Sequence, residues 1–153
     1  MESSNYRLVN FSDIFFIYIL NGDMSKDTFQ EFLDSMTMTI QNAHVNQQKF
    51  ALWIDTRQMQ RSHAFMIKRI KHFIDDHETI FQDYSNGTVI TFHQKWVQTM
   101  INTIFKIKPP KSSVWTGRTF NDVTGHLVSQ LPDDFFNEGF FQLALENGID
   151  IEN

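Results

Sequence analysis

The alternation of short apolar runs with longer segments of helical period constrains this fold more than any other feature of the sequence. The clearest example is TVITF (residues 88–92). It leads into a segment whose apolar residues recur every three or four positions until Pro109 and Pro110 end it. Helical connections of this length allow successive strands to pair in parallel. The alternation is therefore typical of an α/β protein, with helices packed on a largely parallel sheet.

The N-terminal segment predicts a different kind of connection. Only Ser12 and Asp13 separate the β-rich runs YRLVNF and IFFIYIL, so the two runs predict an antiparallel hairpin. The predicted order is then β-β-α-β-α-β-α-β-α, followed by a last helix. We expect a single domain over residues 1–153, built as one mixed, mainly parallel β-sheet of about five strands flanked by α-helices.

Two further predictions concern the middle of the chain. FALWID (residues 50–55) predicts a short buried strand that ends at Asp55, and the following TRQMQR predicts a loop. Ser62 is the expected N-cap of one long helix, which continues to Tyr84 because apolar residues keep a helical spacing over that stretch.

The composition excludes several classes of protein. The chain has no Cys, which rules out disulfides, thiolate metal sites and cysteine catalysis. The longest apolar run, IFFIYIL, is too short to span a membrane. The net charge of −5 gives no basic footprint for nucleic acid. We therefore predict a cytoplasmic protein without a transmembrane segment or a nucleic-acid partner, and peripheral contact with a membrane surface stays open.

Residues 131–153 form an acidic, Phe-rich C-terminal extension. They contain six acidic residues and no Lys or Arg. Apolar residues between positions 133 and 147 predict a last helix, and they spread round more than one of its faces. Two arrangements are open, since this extension can pack on its own domain or on another chain.

Polar residues stand where two of the predicted parallel strands end. Asp55, Thr56 and Arg57 come at the end of FALWID, and His93 follows TVITF. In an open parallel sheet, ligands bind outside the carboxyl ends of the strands. These four residues are therefore candidate ligand-binding residues. The alternative is that they only make loop hydrogen bonds and helix caps.

Basic residues in two stretches predict a surface for an anionic headgroup or an acidic partner. The alternatives are a solvated helix face and, near Pro109, lysines that complement the negative end of a helix dipole. The residues concerned are Arg61, Lys68, Arg69, Lys71, Lys106, Lys108 and Lys111.

The sequence shows no motif for catalysis or for a metal. Its six His form no HExxH pattern, and GxSxG, GxGxxG and GxxxxGK[ST] do not occur. We therefore predict no metal, no cofactor and no catalytic residue. Enzymatic activity is kept as a third hypothesis, which requires clustered polar side chains at the strand ends, with Asp55 and His93 among them.

Several segments together resemble the core of a CRAL-TRIO domain, including its BCH-type branch. They are FALWIDTRQM, a long helix, FQDYSNGTVITFHQKWVQTMINTIFKIKPP and SSVWTGRTFNDVTGHLVSQLPDDFF. Residues 84–87 stand at the family's Tyr-Pro turn, residues 107–110 at its Lys-Pro position and residues 131–132 at its final Leu-Pro. Trp96 stands at the aromatic position that follows its Asn-x-Pro, which adds Trp96 to the candidate ligand-binding residues.

The related STAS fold, of the anti-sigma-factor-antagonist kind, is similar in its order of elements and its hairpin start. Where STAS regulators carry Asp-Ser-Ser-Gly, this chain has Asp55-Thr56-Arg57-Gln58. The CRAL-TRIO resemblance implies a non-catalytic module that binds a lipid or other small apolar ligand. The STAS and BCH resemblance implies the alternative, a protein-interaction or regulatory module that forms homo- or hetero-oligomers. The first reading predicts a sizeable dry cavity, and the second predicts a filled core.

Overall fold

The computed structural model describes residues 5–151, which form one five-stranded sheet with helices on both faces. The elements follow in chain order: β1 (Tyr6–Ser12), β2 (Phe15–Gly22), α1 (Lys26–Val45), β3 (Phe50–Met59), α2 (Ala64–Asp76), α3 (Glu78–Tyr84), β4 (Ser85–Thr91), α4 (Lys95–Ile107), β5 (Val114–Gly117), α5 (Phe120–Val128) and α6 (Glu138–Glu146).

The strands lie side by side in the order in which they occur in the chain, β1-β2-β3-β4-β5. β1 and β2 pair antiparallel, as the hairpin pattern predicts, and the other pairs are parallel. Connections between parallel strands have one preferred hand, so consecutive crossovers between neighbouring strands place their helices on the same face of the sheet. We call the side covered by α1 to α4 the crossover face, and the side covered by α5, α6 and the segments around them the tail face.

Each face has its own hydrophobic core because side chains of a strand alternate between the two sides. Phe50 and Leu52 of β3 pack on the crossover face with buried residues of α1 and α2. Ala51 and Trp53, their neighbours in sequence, pack on the tail face with residues from α5 and α6. This double coverage explains why β2 and β3 are apolar at nearly every position instead of alternating with polar residues.

Two helix starts follow their sequence signals. Ser25 caps α1, and its side chain accepts a hydrogen bond from the backbone N–H of Thr28. Thr119 and Asp122 form a reciprocal capping box at α5, with Asp in the place that Glu usually takes. The end of α4 at Ile107, just before Lys108 and the two prolines, is also as predicted.

Two local predictions about the middle of the chain are wrong. β3 does not end at Asp55, because Gln58 and Met59 still pair with Asn21 and Gly22 at the end of β2. The helix that follows begins at Ala64, one residue after its N-cap His63, and it is interrupted at His77. The ring of His77 is buried there, and its Nδ1 lies 2.8 Å from the carbonyl oxygen of Phe73.

The Phe-rich extension packs on its own sheet. Phe135 and Phe140 are buried on the tail face, where their rings contact those of Phe11 and Phe15 from the hairpin. Asn137 caps α6, whose nine residues make it shorter than the predicted helix. None of the helices within residues 5–151 combines the length and the hydropathy that a membrane span requires.

Candidate functional site

Two of the predicted ligand-binding residues form a buried ion pair. Arg57 Nε donates to Asp55 Oδ1 at 2.8 Å, and Arg57 Nη2 donates to Asp55 Oδ2 at 3.1 Å. Both residues are only about 5% exposed. They face the same side of the sheet because β3 continues through them and they are two positions apart. The guanidinium of Arg57 also lies 5.9 Å from the ring centre of Trp53, which precedes Asp55 on the same face of β3.

Neighbouring side chains complete the hydrogen bonding of this pair. Thr91, opposite Asp55 on β4, donates from Oγ1 to Asp55 Oδ1 at 2.8 Å. Trp53 Nε1 donates to Thr91 Oγ1 at 3.0 Å. Thr56 points to the other face, and its hydroxyl donates to the backbone carbonyl of Thr91 at 2.8 Å. The buried charges are thus paired and hydrogen-bonded, which is the condition under which ions are tolerated inside a protein.

The same network holds the C-terminal segment against the sheet. Arg57 Nη2 donates to the backbone carbonyl of Asp150 at 2.6 Å. Arg7 of β1 binds the end of α6, where its guanidinium donates to the backbone carbonyl of Asn147 and to Asn147 Oδ1. Cations at a helix C-terminus are stabilising because the terminal carbonyls are unpaired. A ligand that reached Asp55 or Arg57 from the tail face would therefore have to displace this segment.

The remaining predicted ligand-binding residues lie at the start of α4. His93 is exposed in the connection from β4. Trp96 is half-buried and packs against the hydrophobic core. Between them, Gln94 donates from Nε2 to the carbonyl of Met59 at 2.6 Å. The structure thus brings Asp55, Thr56 and Arg57 together and leaves His93 outside their network.

The sequence reasoning did not find Thr91, Gln94 or Asp150. Thr91 becomes a partner of Asp55 only through the register of β3 and β4, and Asp150 reaches Arg57 only because the extension folds back over the sheet. An available signal was Thr91 itself, a polar residue in the apolar run TVITF, where a buried hydroxyl needs a partner.

The basic residues are distributed over several elements and differ in their contacts. Lys68, Lys106 and Lys111 are exposed to solvent. Arg69 donates to the carbonyl of Lys26 and to Gln30 on α1, and its guanidinium stacks over the ring of Phe65. Arg69 therefore joins α1 to α2, in addition to any role on a surface.

Lys108 has the clearest internal role among these cations. Its ammonium lies 2.8 Å from Asp75 Oδ1 at the end of α2 and also contacts the carboxylate of Glu78 at the start of α3. The hydrogen bond from Lys108 holds the pKa of Asp75 below its usual value. The two carboxylates raise the pKa of Lys108. One cation thus bridges the two helices on either side of the break at His77.

Two apolar spaces lie between the sheet and the crossover helices. Their volumes are about 110 and 100 Å³. Both are lined by residues from β3, β4, α2 and α4, and they share Met36, Ile54, Ile70, Phe73, Ile90 and Phe105. Pockets that bind small molecules usually measure roughly 300–1,000 Å³. Each space is therefore too small for a lipid chain.

The described residues 5–151 contain no group of three or more His, Asp or Glu side chains that could hold a metal ion. The carboxylates closest to the sheet network are already used, since Asp55 is bound by Arg57 and Thr91. The arrangement around Asp55 is built to hold strands and tail together. It does not present a free nucleophile or base at a cleft.

The fold is similar to that of an uncharacterized protein of the DUF3478 family from Shewanella loihica PV-4, whose crystal structure has a SpoIIAA-like fold. The two chains are 10% identical, with a TM-score of 0.52, and the likeness covers 82% of this chain and 97% of the other. This chain has a SpoIIAA-like fold. No protein-family model matches its sequence, and no curated protein matches it either.

The likeness confirms the predicted fold class, a mixed α/β sheet of five strands with a C-terminal helix. It supports the STAS part of the sequence resemblance, because the SpoIIAA-like fold is STAS-like. It gives no support to the CRAL-TRIO part. At 10% identity the likeness concerns the fold alone, and fold by itself does not fix function.

Proposed function

We propose that this chain is a non-catalytic regulatory or interaction module of the STAS type, which acts by binding another protein. The observation that carries the proposal is the filled interior. The spaces between sheet and helices measure about 110 and 100 Å³, whereas a lipid carrier needs a continuous dry cavity several times larger. The SpoIIAA-like fold adds to this support, as does the internal use of the polar groups on β3.

The lipid-binding interpretation is the weaker of the two non-catalytic readings. It requires α2, α3 or α4 to move away from the sheet so that the small apolar spaces merge and grow. The predicted ligand-binding residues Asp55 and Arg57 lie on the opposite face of the sheet, under the C-terminal segment that Arg57 binds, so a ligand in these spaces would not contact them. A catalytic role for Asp55 requires it to leave its ion pair with Arg57. The interaction module needs neither rearrangement.

The proposal gives the basic residues a role at the surface. Lys68, Lys106 and Lys111 are exposed, so they are available to an acidic partner and give an association that weakens with salt. Arg61, also exposed, follows the end of β3 and is a further proposed contact. His93 and Trp96 at the start of α4 remain proposed contacts. The proposal covers a second copy of the chain as well as a different protein as the partner.

The first test is native mass spectrometry of the protein as purified, followed by solvent extraction and lipid analysis. We expect a mass that the polypeptide alone accounts for, as a monomer or dimer. A stoichiometric apolar molecule on the chain would overturn the proposal and restore the lipid-binding interpretation. Light scattering over a range of concentrations then separates a homodimer, whose mass rises with concentration, from a monomer that awaits another protein.

The second test measures binding to a partner that has been crosslinked to the full chain in its own cells and then purified. We expect a dissociation constant that the double variant Lys68→Glu/Lys106→Glu weakens by about tenfold, because attraction becomes repulsion. The matched control reverses two exposed lysines elsewhere, Lys26 and Lys49, and should change affinity by less than about twofold. An equal loss of affinity in both double variants would show that Lys68 and Lys106 form no specific binding surface.

A further inference from the structure

The crossover face has an open groove at its β1 edge. Its volume is about 730 Å³, and it is lined by residues of the β1–β2 hairpin on one side and of α1 on the other. The groove follows from the topology. α1 connects β2 to β3 and is the first helix of its layer, so it lies over those strands. β1 extends the sheet beyond the helical layer.

The two walls of the groove are firmly held. The hydroxyl of Tyr18 on β2 is hydrogen-bonded to Thr39 at 2.8 Å and to Ser35 at 3.2 Å, and both of these α1 residues line the groove. Burial raises the pKa of Tyr18, so the neutral hydroxyl persists. The position of α1 relative to the hairpin is therefore fixed before anything binds, which reduces the entropic cost of association.

The groove combines apolar, uncharged polar and acidic residues. Leu8 and Phe16 contribute half-buried apolar surface, and Met38 on α1, which is 67% exposed, adds apolar surface that a partner can cover. Met adapts its shape to different partners. The charged residues that line the groove are Asp13, Glu31 and Asp34, and no Lys or Arg is among the described residues that line it.

The length of the groove matches a helix. Its α1 wall runs from Glu31 to Asn46, a distance of about 22 Å at 1.5 Å per residue. The groove residues of α1 recur at positions 31, 34, 35, 38, 39, 42 and 43, which is the stripe that a neighbouring helix contacts. A helix laid beside α1 would take the next position in the layer, over β1.

A second copy of this chain fits the groove poorly. Its exposed apolar side chains on α6, Phe141 and Leu145, lie beside Glu138 and Glu146, so acids would meet the acidic residues of the groove. α2 carries the exposed Lys68, but its apolar residues pack into or against its own core. At the end of α4, Ile107 is exposed beside Lys106, but it is a single apolar residue and gives no stripe along a helix. The groove is complementary to a helix that carries both apolar and basic residues.

We propose that the groove between β1 and α1 binds an amphipathic helix of a partner protein, with apolar residues toward Phe16 and Met38 and basic residues toward Asp13, Glu31 and Asp34. This inference rests on the proposed function as an interaction module and names the chemistry of one partner. It is distinct from the basic surface, because it requires a cationic segment and not an acidic one. Binding is expected to weaken as salt rises.

The test uses the full chain and a fluorescent synthetic peptide of roughly 16 residues, with leucines on one helical face and lysines on the other. Its matched control carries glutamates in place of the lysines. Fluorescence anisotropy at low salt should show binding of the basic peptide only. Amide NMR shifts should identify Ser35, Met38, Thr39 and Phe16 as the contact residues.

Two protein variants locate the binding site. Glu31→Lys/Asp34→Lys should weaken the affinity for the basic peptide by at least about tenfold, because the attraction between the peptide lysines and these acidic residues becomes repulsion. The control Asp83→Lys/Asp133→Lys changes charge equally at exposed positions outside the groove and should stay within about twofold. Met38→Glu probes the apolar surface of the groove and should also weaken binding. Far-UV circular dichroism and urea unfolding check that each variant is folded.

Several outcomes would overturn the inference. They are the absence of binding at low salt, equal loss in the groove and control variants, and NMR shifts that map to another surface. A dimer that Met38→Glu dissociates would identify a second copy as the occupant instead. These results would not contradict the proposed function itself. If a purified natural partner binds and the groove variants leave its affinity unchanged, the chain is still an interaction module, but the groove is not its binding site.

Discussion

The two faces of the sheet are stabilised in different ways. On the tail face, six phenylalanines (Phe11, Phe15, Phe120, Phe135, Phe136 and Phe140) pack with ring centres 4.8 to 6.5 Å apart, and a buried ion pair adjoins them. On the crossover face, aromatic rings also form pairs, such as Phe29 with Phe32 and Phe73 with Phe81. Together with aliphatic side chains they line two small apolar spaces, and the ion pairs lie near the surface. The tail face is packed tightly, whereas the crossover face keeps room for side chains to move.

This difference predicts which part of the fold opens more easily. Contacts between rigid aromatic rings are specific and leave few alternative arrangements. Side chains that line a void lack contact atoms on one side and lose dispersion energy there. We therefore expect local opening on the crossover face to cost less free energy than removal of the tail.

Phe140→Ala should be the most destabilising single change. The Phe140 side chain is fully buried, and its ring contacts six other phenylalanine rings, one of them on α6 itself. Its loss should lower the free energy of unfolding by about 4 kcal/mol, from lost burial and the cavity left behind. Urea unfolding measures this free energy.

Phe73→Ala is the comparison on the crossover face, where Phe73 lies beside both small spaces. It should lower the free energy of unfolding by less than Phe140→Ala does. An equal or larger decrease would contradict the difference between the two faces.

Arg57→Leu should come next, with a loss of about 3 kcal/mol, because it leaves the Asp55 carboxylate buried without its partner. The double variant Asp55→Asn/Arg57→Leu should recover part of this loss, since no unpaired charge is then buried. Hydrogen exchange adds a second measurement. The amides of residues 149 and 151 should exchange faster in Arg57→Leu, which removes the bond to the Asp150 carbonyl. Unchanged exchange would mean that this arginine does not hold the tail.

Most of the fold could be predicted from the sequence because its signals are local. The hairpin at Ser12 and Asp13, the cap at Ser25 and the helix end before Pro109 each depend on residues within a few positions. The break at His77 could not be predicted, because the apolar spacing continues through it. The break is held by contacts with Lys108, thirty-one positions later in the chain.

The candidate site was less predictable for a related reason. The sequence predicts Asp55, Thr56 and Arg57 at the end of a strand, but β3 continues to Met59 because β2 is long enough to pair with it. The partners of these residues come from β4 and from the C-terminal segment. Such contacts depend on register and on how the tail folds, and neither is encoded near residue 55. The groove beside α1 likewise arises from the placement of α1 over β2 and β3.

Small-to-large substitutions distinguish the two faces directly. Ile17→Phe adds volume to the tail face, where Ile17 is fully buried, and should cost about 2 kcal/mol by overpacking. Ile90→Phe adds the same volume on a neighbouring part of the sheet, beside both small spaces. It should change the unfolding free energy by less than about 1 kcal/mol. Thermal and urea unfolding of the two variants would compare them, and similar costs would mean that the spaces cannot be filled.

The ion pair at the surface of the crossover face should give the smallest effect, with a defined dependence on pH. Lys108 holds the pKa of Asp75 below its usual value, so the stability linked to Asp75 is present above that usual value of 3.8. It is lost as the pH falls through the lower, folded-state pKa. Lys108→Met should therefore destabilise the protein slightly near neutral pH, and its difference from wild type should shrink as Asp75 becomes protonated. The stability linked to Lys108 itself is present below its usual pKa of 10.5 and is lost only at higher pH.

Urea midpoints at several pH values from acid to neutral measure this difference. Lys49→Met, at an exposed lysine before β3, is the matched control and should show no such pH dependence. Lys108 bridges carboxylates on both sides of the break at His77. Its removal should therefore raise hydrogen exchange in α3 more than in α6. If exchange rose equally in the two helices, Lys108 would be stabilising the whole fold, and the crossover face would not be the part of the molecule that opens first.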